Sequence, residues 1–296
     1  MKAQENILPI EGSGRALAGH DRRIGSILAE YGKLDVGDIE RVLELQQVKG
    51  LAFGEAALSL GLITADDLRY AVAKQYDLPQ FLPHDASISS ELVVAYEPFH
   101  PRAEELRALR TQLLIRWSKA GVRRRMLAVV SPGASEGRSY VAANLAVVFS
   151  QLGERTLLID ADLRTPRQHR IFNLPDRIGL SAILSRRADR SAVVPISEFG
   201  TLSLLPAGAR PPNPQELLLR PSLAALLEEL QAEFDVIIFD TPPAKLYADA
   251  QSLAFRAGSV MVLARKDHTS LADTASVIRE LSDTGARIVG TVFNAF

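Results

Sequence analysis

Residues 126–151 constrain the fold more than any other stretch of the chain. An apolar run, Met126 to Val130, leads into Ser131-Pro132-Gly133-Ala134-Ser135-Glu136-Gly137-Arg138-Ser139, and a helix-like segment continues to Gln151. Strand, glycine-containing loop and helix, in that order, are the setting of a phosphate-binding loop. Gly133 and Gly137 let the backbone curl so that its N–H groups point inward, and the helix behind adds the positive end of its dipole. The stretch departs from G-x-x-x-x-G-K-[ST] at two positions, with Pro132 for the first glycine and Arg138 for the lysine. Arginine keeps the charge but meets phosphate as a planar fork rather than a compact point charge. Ser139 sits where a hydroxyl can ligate Mg²⁺. The competing reading is a glycine-rich turn that only starts a helix.

The segments downstream favour the phosphate loop. Apolar, β-rich runs alternate with helical ones, giving expected strands at 126–130, 155–160, 202–205, 235–239, 258–263 and 287–292. Unbroken runs such as Val236 to Phe239 suit strands buried on both faces of a parallel sheet. The expected fold is therefore α/β, a doubly wound, mostly parallel sheet with its site at the carboxyl ends of the strands. Two of those ends are acidic. Thr156 to Ile159 runs into Asp160-Ala161-Asp162, and Val236 to Phe239 into Asp240-Thr241-Pro242-Pro243. Carboxylates beside a phosphate loop match a Mg²⁺–nucleotide site, because Mg²⁺ takes hard oxygen ligands and bridges phosphates. One of them can also polarise a hydroxyl or water. A single strand-end Asp is commonly just a helix cap; two such strands following the loop are harder to obtain by chance.

The rest of the chain divides by pattern. Residues 1–20 hold Gly12, Ser13, Gly14 and Gly19 without periodicity and read as a flexible tail. Residues 21–78 repeat: Gly25, Gly32, Leu34, Ile39, Leu43 and Gln46 recur 29 positions on as Gly54, Gly61, Ile63, Leu68, Val72 and Gln75. Each copy reads as a short helix, a Gly-ended turn and a longer amphipathic helix, so a small all-α domain is expected. Pro79, Pro83, Pro98 and Pro101, with Ser87, Ser89 and Ser90, mark 79–101 as a linker. A helix from about 102 to 119 follows, with Leu106, Leu109, Leu113 and Trp117 on one face and Glu104, Arg107 and Arg110 on another. Those three ions read as a solvated face or as a self-association surface. The nucleotide-binding domain is expected over 102–296.

Composition excludes several classes. Lys+Arg 34 against Asp+Glu 35 leaves a net charge of −1, so nothing in the whole-chain charge points to nucleic acid or an anionic membrane. The chain has 0 Cys, which removes disulfides and thiolate metal sites. No apolar run reaches the ~18–20 residues of a membrane span, and Met1 to Ile10 lacks a signal-peptide core. The expected location is the cytoplasm, at the inner face of the membrane where a partner holds it there.

Two resemblances sharpen these readings. From about Glu104 to Asn294 the chain resembles the bacterial tyrosine kinases, in particular the chain-length-determinant kinases of exopolysaccharide gene sets. The motifs that carry this are Glu104-x-x-Arg107-x-x-Arg110, Gly137-Arg138-Ser139, Asn144-Leu145-Ala146, Leu158 to Arg164 with Pro166, Gly179-Leu180-Ser181, Leu205 to Gly208 with Asn213 to Leu217, and Ile238 to Pro243. The resemblance implies ATP and Mg²⁺ as cofactors and tyrosine autophosphorylation that controls polysaccharide polymerisation and export. It assigns phosphate binding to Pro132 through Ser139, Mg²⁺ to Ser139, Asp160 and Asp240, acceptor activation to Asp162, and oligomer contacts to Glu104, Arg107 and Arg110. Asn294 resembles the adenine-contacting position of the wider superfamily. The implied partners are a membrane-embedded chain-length regulator and further copies of the chain. Arg138 departs from the family's lysine. The family also continues into a tyrosine-rich tail, whereas Tyr31, Tyr70, Tyr76, Tyr96, Tyr140 and Tyr247 do not cluster. Weak autophosphorylation is therefore expected, with Tyr96 in the linker as its acceptor.

Residues 23–79 resemble the N-terminal domain of type II secretion and type IV pilus ATPases, through Arg23-Ile24-Gly25, Gly32, Gly61 and Gln75 to Pro79. Some of those proteins bind cyclic di-GMP through tandem copies of the motif. Here Ala52 stands where the first copy has Arg23, so a packing and docking module is the favoured reading and cyclic di-GMP the minor one. A rival function uses the same loop and acids, a partition- or division-type ATPase switch without phosphotransfer; a third reading is a non-catalytic adaptor working through the repeat.

Overall fold

The computed structural model describes residues 23–76, 88–121 and 125–295. The expected tail, 1–20, lies outside them. Contacts divide the chain into two compact units, Met1–Asp77 and Leu78–Phe296.

The first unit is four helices, α1 (Ile24–Glu30), α2 (Val36–Lys49), α3 (Phe53–Ser59) and α4 (Ala65–Gln75). The two longer helices start on reciprocal caps. Asp35 accepts from the Asp38 N–H at 2.8 Å, and Thr64 Oγ1 from the Asp67 N–H at 3.2 Å, while each N3 carboxylate reaches back to its cap's N–H. Gly32 and Gly61 end the short helices at φ 65° and 68°, a left-handed conformation that favours glycine. The core follows the repeat. Its buried residues Ile27, Leu28, Leu34 and Val42 have Ala56, Ala57, Ile63 and Ala71 as their 29-shifted equivalents. α1 packs on α4 and α2 on α3, so the first helix of each copy is covered by the second helix of the other.

The second unit is a seven-stranded sheet with helices on both faces. Its strands are β1 (Arg125–Val130), β2 (Thr156–Asp160), β3 (Val194–Pro195), β4 (Leu202–Leu205), β5 (Val236–Asp240), β6 (Ser259–Arg265) and β7 (Arg287–Asn294). The order is β3-β4-β2-β5-β1-β6-β7, parallel throughout except for β3 against β4. The six expected strands are present within one or two residues at each end. The seventh, β3, is a two-residue edge strand containing a proline, too short to leave a pattern. Alternate residues of β1 serve different cores: Leu127 and Val129 join Leu158, Ile238 and Met261 on one face, and Met126, Ala128 and Val130 join Leu157, Phe239 and Val262 on the other. That two-sided burial is why these strands read as continuous apolar runs.

The helices of this unit are α5 (Val93–Tyr96), α6 (Pro101–Lys119), α7 (Arg138–Ser150), α8 (Gln168–Ile171), α9 (Leu180–Leu184), α10 (Pro214–Leu219), α11 (Pro221–Glu233), α12 (Asp249–Ala257) and α13 (Leu271–Asp283). Helix α7 lies between the sheet and α5–α6, and eleven of its residues are buried. Trp117 of α6 packs on Phe149 of α7 with centroids 5.9 Å apart, and its Nε1 donates to Ser259 Oγ at 3.2 Å.

The linker expected at 79–101 is corrected for its described part, 88–101. Ile88, Leu92, Val94 and Ala95 are buried in the same core as α7. Asn144 of α7 fastens this segment, donating to the Glu91 carbonyl at 2.9 Å and accepting from the Val94 N–H at 3.3 Å. The prolines and serines bracket an apolar segment, and burial of that segment outweighs the turn signals around it. Tyr96 goes with it. The tyrosine is partly buried and its hydroxyl donates to the Ile88 carbonyl at 2.7 Å, so it is not presented as an extended acceptor.

Candidate functional site

The loop between β1 and α7 is built as the sequence requires. Gly137 takes φ 95° and Ser135 φ 57°, both left-handed; Ser135 holds there without glycine's freedom. Ala134 and Ser135 form the exposed crest, while Ser131, Pro132, Glu136 and Arg138 are buried below it. Ser131 Oγ donates to the Gly133 carbonyl at 3.0 Å, and the Gly133 N–H donates to Glu136 Oε2 at 2.8 Å. Glu136 thus occupies one of the donors the loop offers.

The far side of the sheet braces the loop. The Thr269 hydroxyl donates to Glu136 Oε1, the Arg265 guanidinium donates to the Ser135 carbonyl at 3.1 Å, and Asn294 Nδ2 donates to the Glu136 carbonyl at 3.2 Å. These residues arrive because β6 lies beside β1 in the sheet and β7 beside β6. Asn294, expected at the base of a nucleotide, ends β7 against the phosphate loop. The loop after β5 holds the opposite side, with the Ala244 and Lys245 N–H groups donating to the Ser131 and Pro132 carbonyls at 3.0 and 3.2 Å.

Arg138 lies inside this frame with only 8% of its surface exposed. Its Nε donates to the Thr241 carbonyl at 2.7 Å, and one terminal nitrogen donates to Ser131 Oγ and the Gly133 carbonyl. The planar fork therefore ties the start of the loop to the end of β5, a geometry that one ammonium cannot reproduce. Burial pulls this guanidinium below the usual arginine range, while Asp240, Asp162 and Glu136 pull the other way.

The ends of β2 and β5 bring two of the three acids together. Asp160 and Asp240 stand side by side in the β2–β5 register, and both are almost wholly buried. Asp160 Oδ2 accepts from the Arg167 and Gln168 N–H groups at 3.0 and 2.9 Å. Gln168 Nε2 donates to Asp240 Oδ2 at 2.8 Å and to the Ser139 carbonyl at 3.1 Å, and the Ser139 side chain also hydrogen-bonds Asp240. Oδ1 of each aspartate has no hydrogen-bond partner. Burial pushes both carboxyls up. Asp160 lies well above the usual carboxylate range, with the charge of Asp240 adding to the effect, whereas Arg138, Ser139 and Gln168 restrain Asp240. Two buried carboxylates with orphaned oxygens fit a hard divalent cation, which supplies the missing countercharge. No group of three or more His, Cys, Asp or Glu converges among the described residues. A Mg²⁺ ion held by these two carboxylates would take its remaining ligands from waters and phosphate.

Asp162, two residues beyond, points back onto its own loop. Its Oδ1 accepts from the Arg164 and Thr165 N–H groups at 3.1 and 2.8 Å, and its Oδ2 accepts from the Thr165 hydroxyl at 2.8 Å. Of the three ions on α6, Glu104 and Arg107 pair at 3.1 Å, Arg107 also donates to the Pro98 carbonyl at 2.7 Å, and Arg110 donates to the Val148 carbonyl at 2.6 Å near the end of α7. The Glu104 side chain, 75% exposed, stands in solvent. Sequence reasoning missed Gln168, Arg265 and Thr269. Gln168 opens a one-turn helix, Arg265 ends β6 and Thr269 lies in the turn after it; their places depend on strand order, and no local pattern marks them.

Residues 122–295 match the ParA family, described as the NUBPL iron-transfer P-loop NTPases. The chain is 37% identical over 206 residues to the tyrosine-protein kinase YwqD of Bacillus subtilis, covering 69% of this chain and 85% of that one. It is 36% identical over 198 residues to the putative tyrosine-protein kinase EpsB of Ralstonia solanacearum, covering 67% of this chain but only 26% of that protein. Among solved structures, the kinase domain of the Escherichia coli tyrosine kinase ETK superposes with a TM-score of 0.67 at 28% identity, over 72% of this chain and 82% of that one. The strand order, the braced phosphate loop and the paired strand-end aspartates all lie within the matched region, and the chain belongs to the bacterial tyrosine-protein kinase family, on a P-loop NTPase fold.

Proposed function

We propose that this chain binds ATP with Mg²⁺ and transfers the γ-phosphoryl group to a tyrosine hydroxyl on another protein, in the control of exopolysaccharide chain length and export. The observation that carries the reading is the pair of buried aspartates, each with a free oxygen, beside a phosphate loop whose start is held by Arg138. Ser139, Asp160 and Asp240 would hold Mg²⁺, which neutralises phosphate charge when bound. Residues 132–139 would hold the phosphates, with Arg138 turned from the Thr241 carbonyl onto a phosphate oxygen. Asp162 would take the proton of the attacking tyrosine hydroxyl as its oxygen bonds to the γ-phosphorus and ADP leaves. The names of the relatives support kinase chemistry.

A partner is part of this reading. No helix among the described residues is long and apolar enough to cross a membrane. A membrane-embedded chain-length regulator would bring the domain to the site of polymerisation. The test is incubation of purified protein with labelled ATP and Mg²⁺, scored in parallel for phosphotyrosine on added regulator and for free phosphate. Free phosphate without phosphotyrosine would replace the kinase with a second reading, an ATPase switch. That reading is favoured by one observation, the use of Asp162 by its own loop.

Self-association belongs to the same proposal, with Glu104 as its leading residue because its carboxylate projects into solvent. Glu104→Ala with Arg107→Ala is expected to raise the dissociation constant of the oligomer about tenfold, by removing a charge contact repeated around a symmetric assembly. Sedimentation velocity over a concentration series checks this. A monomer at every concentration in the parent protein would overturn it.

A further inference from the structure

The loop after β2 is tethered at both ends by acids of the site. At its start Asp162 gathers the Arg164 and Thr165 N–H groups, and at its end Asp160 gathers those of Arg167 and Gln168. Arg164, between them, reaches out of the loop altogether. Its Nε and one terminal nitrogen donate to the two oxygens of Asp249 at 2.8 and 3.1 Å, a bidentate pair. Asp249 opens α12 and is wholly buried, so its carboxylate is fixed both by packing and by the positive end of that helix. The guanidinium carbon lies 3.9 Å from the centroid of the Tyr247 ring, within stacking range. Tyr247 and Asp249 both follow β5, the strand that ends in Asp240.

The Arg164 side chain is thus held by Asp249 and Tyr247, and its own N–H is one of the donors that orient Asp162. If Arg164 moves, that donor moves with it. We infer that Arg164, paired with Asp249 and stacked on Tyr247, is a positioning residue that sets the orientation of the Asp162 carboxylate toward the phosphoryl acceptor. The inference rests on the role proposed above for Asp162. It also gives Tyr247 a task other than accepting phosphate: its ring is the plate on which the arginine lies.

Arg164→Gln would strand a buried carboxylate, so it threatens the fold as a whole. Tyr247→Ala is the gentler probe, because it removes the stack and leaves the ion pair. Two measurements on the full chain decide the matter. Amide hydrogen exchange should quicken roughly tenfold across 162–168 in Tyr247→Ala and stay unchanged across 132–139. The kcat for phosphotransfer should fall on the order of tenfold while KM for ATP stays within about threefold, the split expected when an acid or base is misplaced and nucleotide binding is not. Tyr247→Phe, which keeps the ring, should recover what Tyr247→Ala loses. Arg164→Lys, which keeps the charge without the fork, should fall between them. Unchanged exchange across 162–168 overturns the inference, and so does faster exchange with undiminished kcat. A parent protein that binds ATP but turns nothing over counts against the function proposed above, and exchange still decides whether the clamp orders the loop of Asp162.

Discussion

Asp240→Asn abolishes Mg²⁺-dependent turnover of ATP and, in the same protein, raises the melting temperature of the ligand-free chain. Both expected effects have one cause. Asp160 and Asp240 stand in register at buried strand ends, and each keeps an oxygen without a partner. Burial holds both carboxyls above the usual carboxylate range. A raised folded-state value means that the native protein holds the proton more tightly than the unfolded chain. The stability that follows is whole below the unfolded value of about 4 and is lost as pH rises through the folded value. Asp67 and Asp235 are shifted downward, so their contributions change only below about pH 4 and do not obscure the trend above it. An amide at position 240 keeps an oxygen for Gln168 and removes one buried charge. The expected gain at pH 8 is on the order of 1–3 kcal/mol, or several degrees of melting temperature. Mg²⁺ should stabilise the parent and leave Asp240→Asn unmoved. Calorimetry at pH 5 and pH 8, with and without Mg²⁺, reads all of this, and a variant no more stable than its parent at pH 8 would refute it.

Arg138→Ala is expected to weaken ATP binding by about 10–100-fold, the equivalent of one charge-assisted phosphate contact worth roughly 1.5–3 kcal/mol. It should also lower the stability of the ligand-free protein, because the buried Thr241 carbonyl loses the Arg138 Nε–H and the Gly133 carbonyl loses a donor. Arg138→Lys separates the two roles. The ammonium keeps the charge and should hold ATP within a few-fold of the parent, yet it cannot span Thr241, Ser131 and Gly133 together, so the loss of stability should remain. Isothermal titration with ATP, alongside thermal melting, distinguishes the outcomes. Equal affinity in the parent and in Arg138→Ala would remove Arg138 from the binding site.

Much of this architecture is legible in the sequence alone. The strands of the sheet announced themselves because burial on both faces makes them continuous apolar runs, and the acids at 160, 162 and 240 stood out because charge follows those runs directly. The repeat could be read because its buried positions keep one spacing. The short antiparallel edge at Val194–Pro195 left no period to detect. The segment holding Tyr96 reads as a linker because the prolines on either side mask the apolar residues between them. Gln168, Arg265 and Thr269 were invisible for a different reason. Their neighbours lie far away in the chain, and strand order alone brings them to the loop. That Asp162 would spend its oxygens on Arg164 and Thr165 was likewise a matter of loop geometry.

The interlocked repeat has a consequence for how the first unit assembles. Because α1 is covered by α4 and α2 by α3, neither copy hides its own apolar stripe. A nascent chain that has made only the first copy has nothing to collapse onto, so ordering must wait for the second and then proceed for both together, in one cooperative step. The same near-equivalence opens a wrong turning. A first copy can be satisfied by the second copy of a neighbouring molecule, trading an intramolecular partner for an intermolecular one through the connection at Gly50. Chain exchange of this kind grows with concentration, and the short link between the copies is what keeps the correct partner ahead.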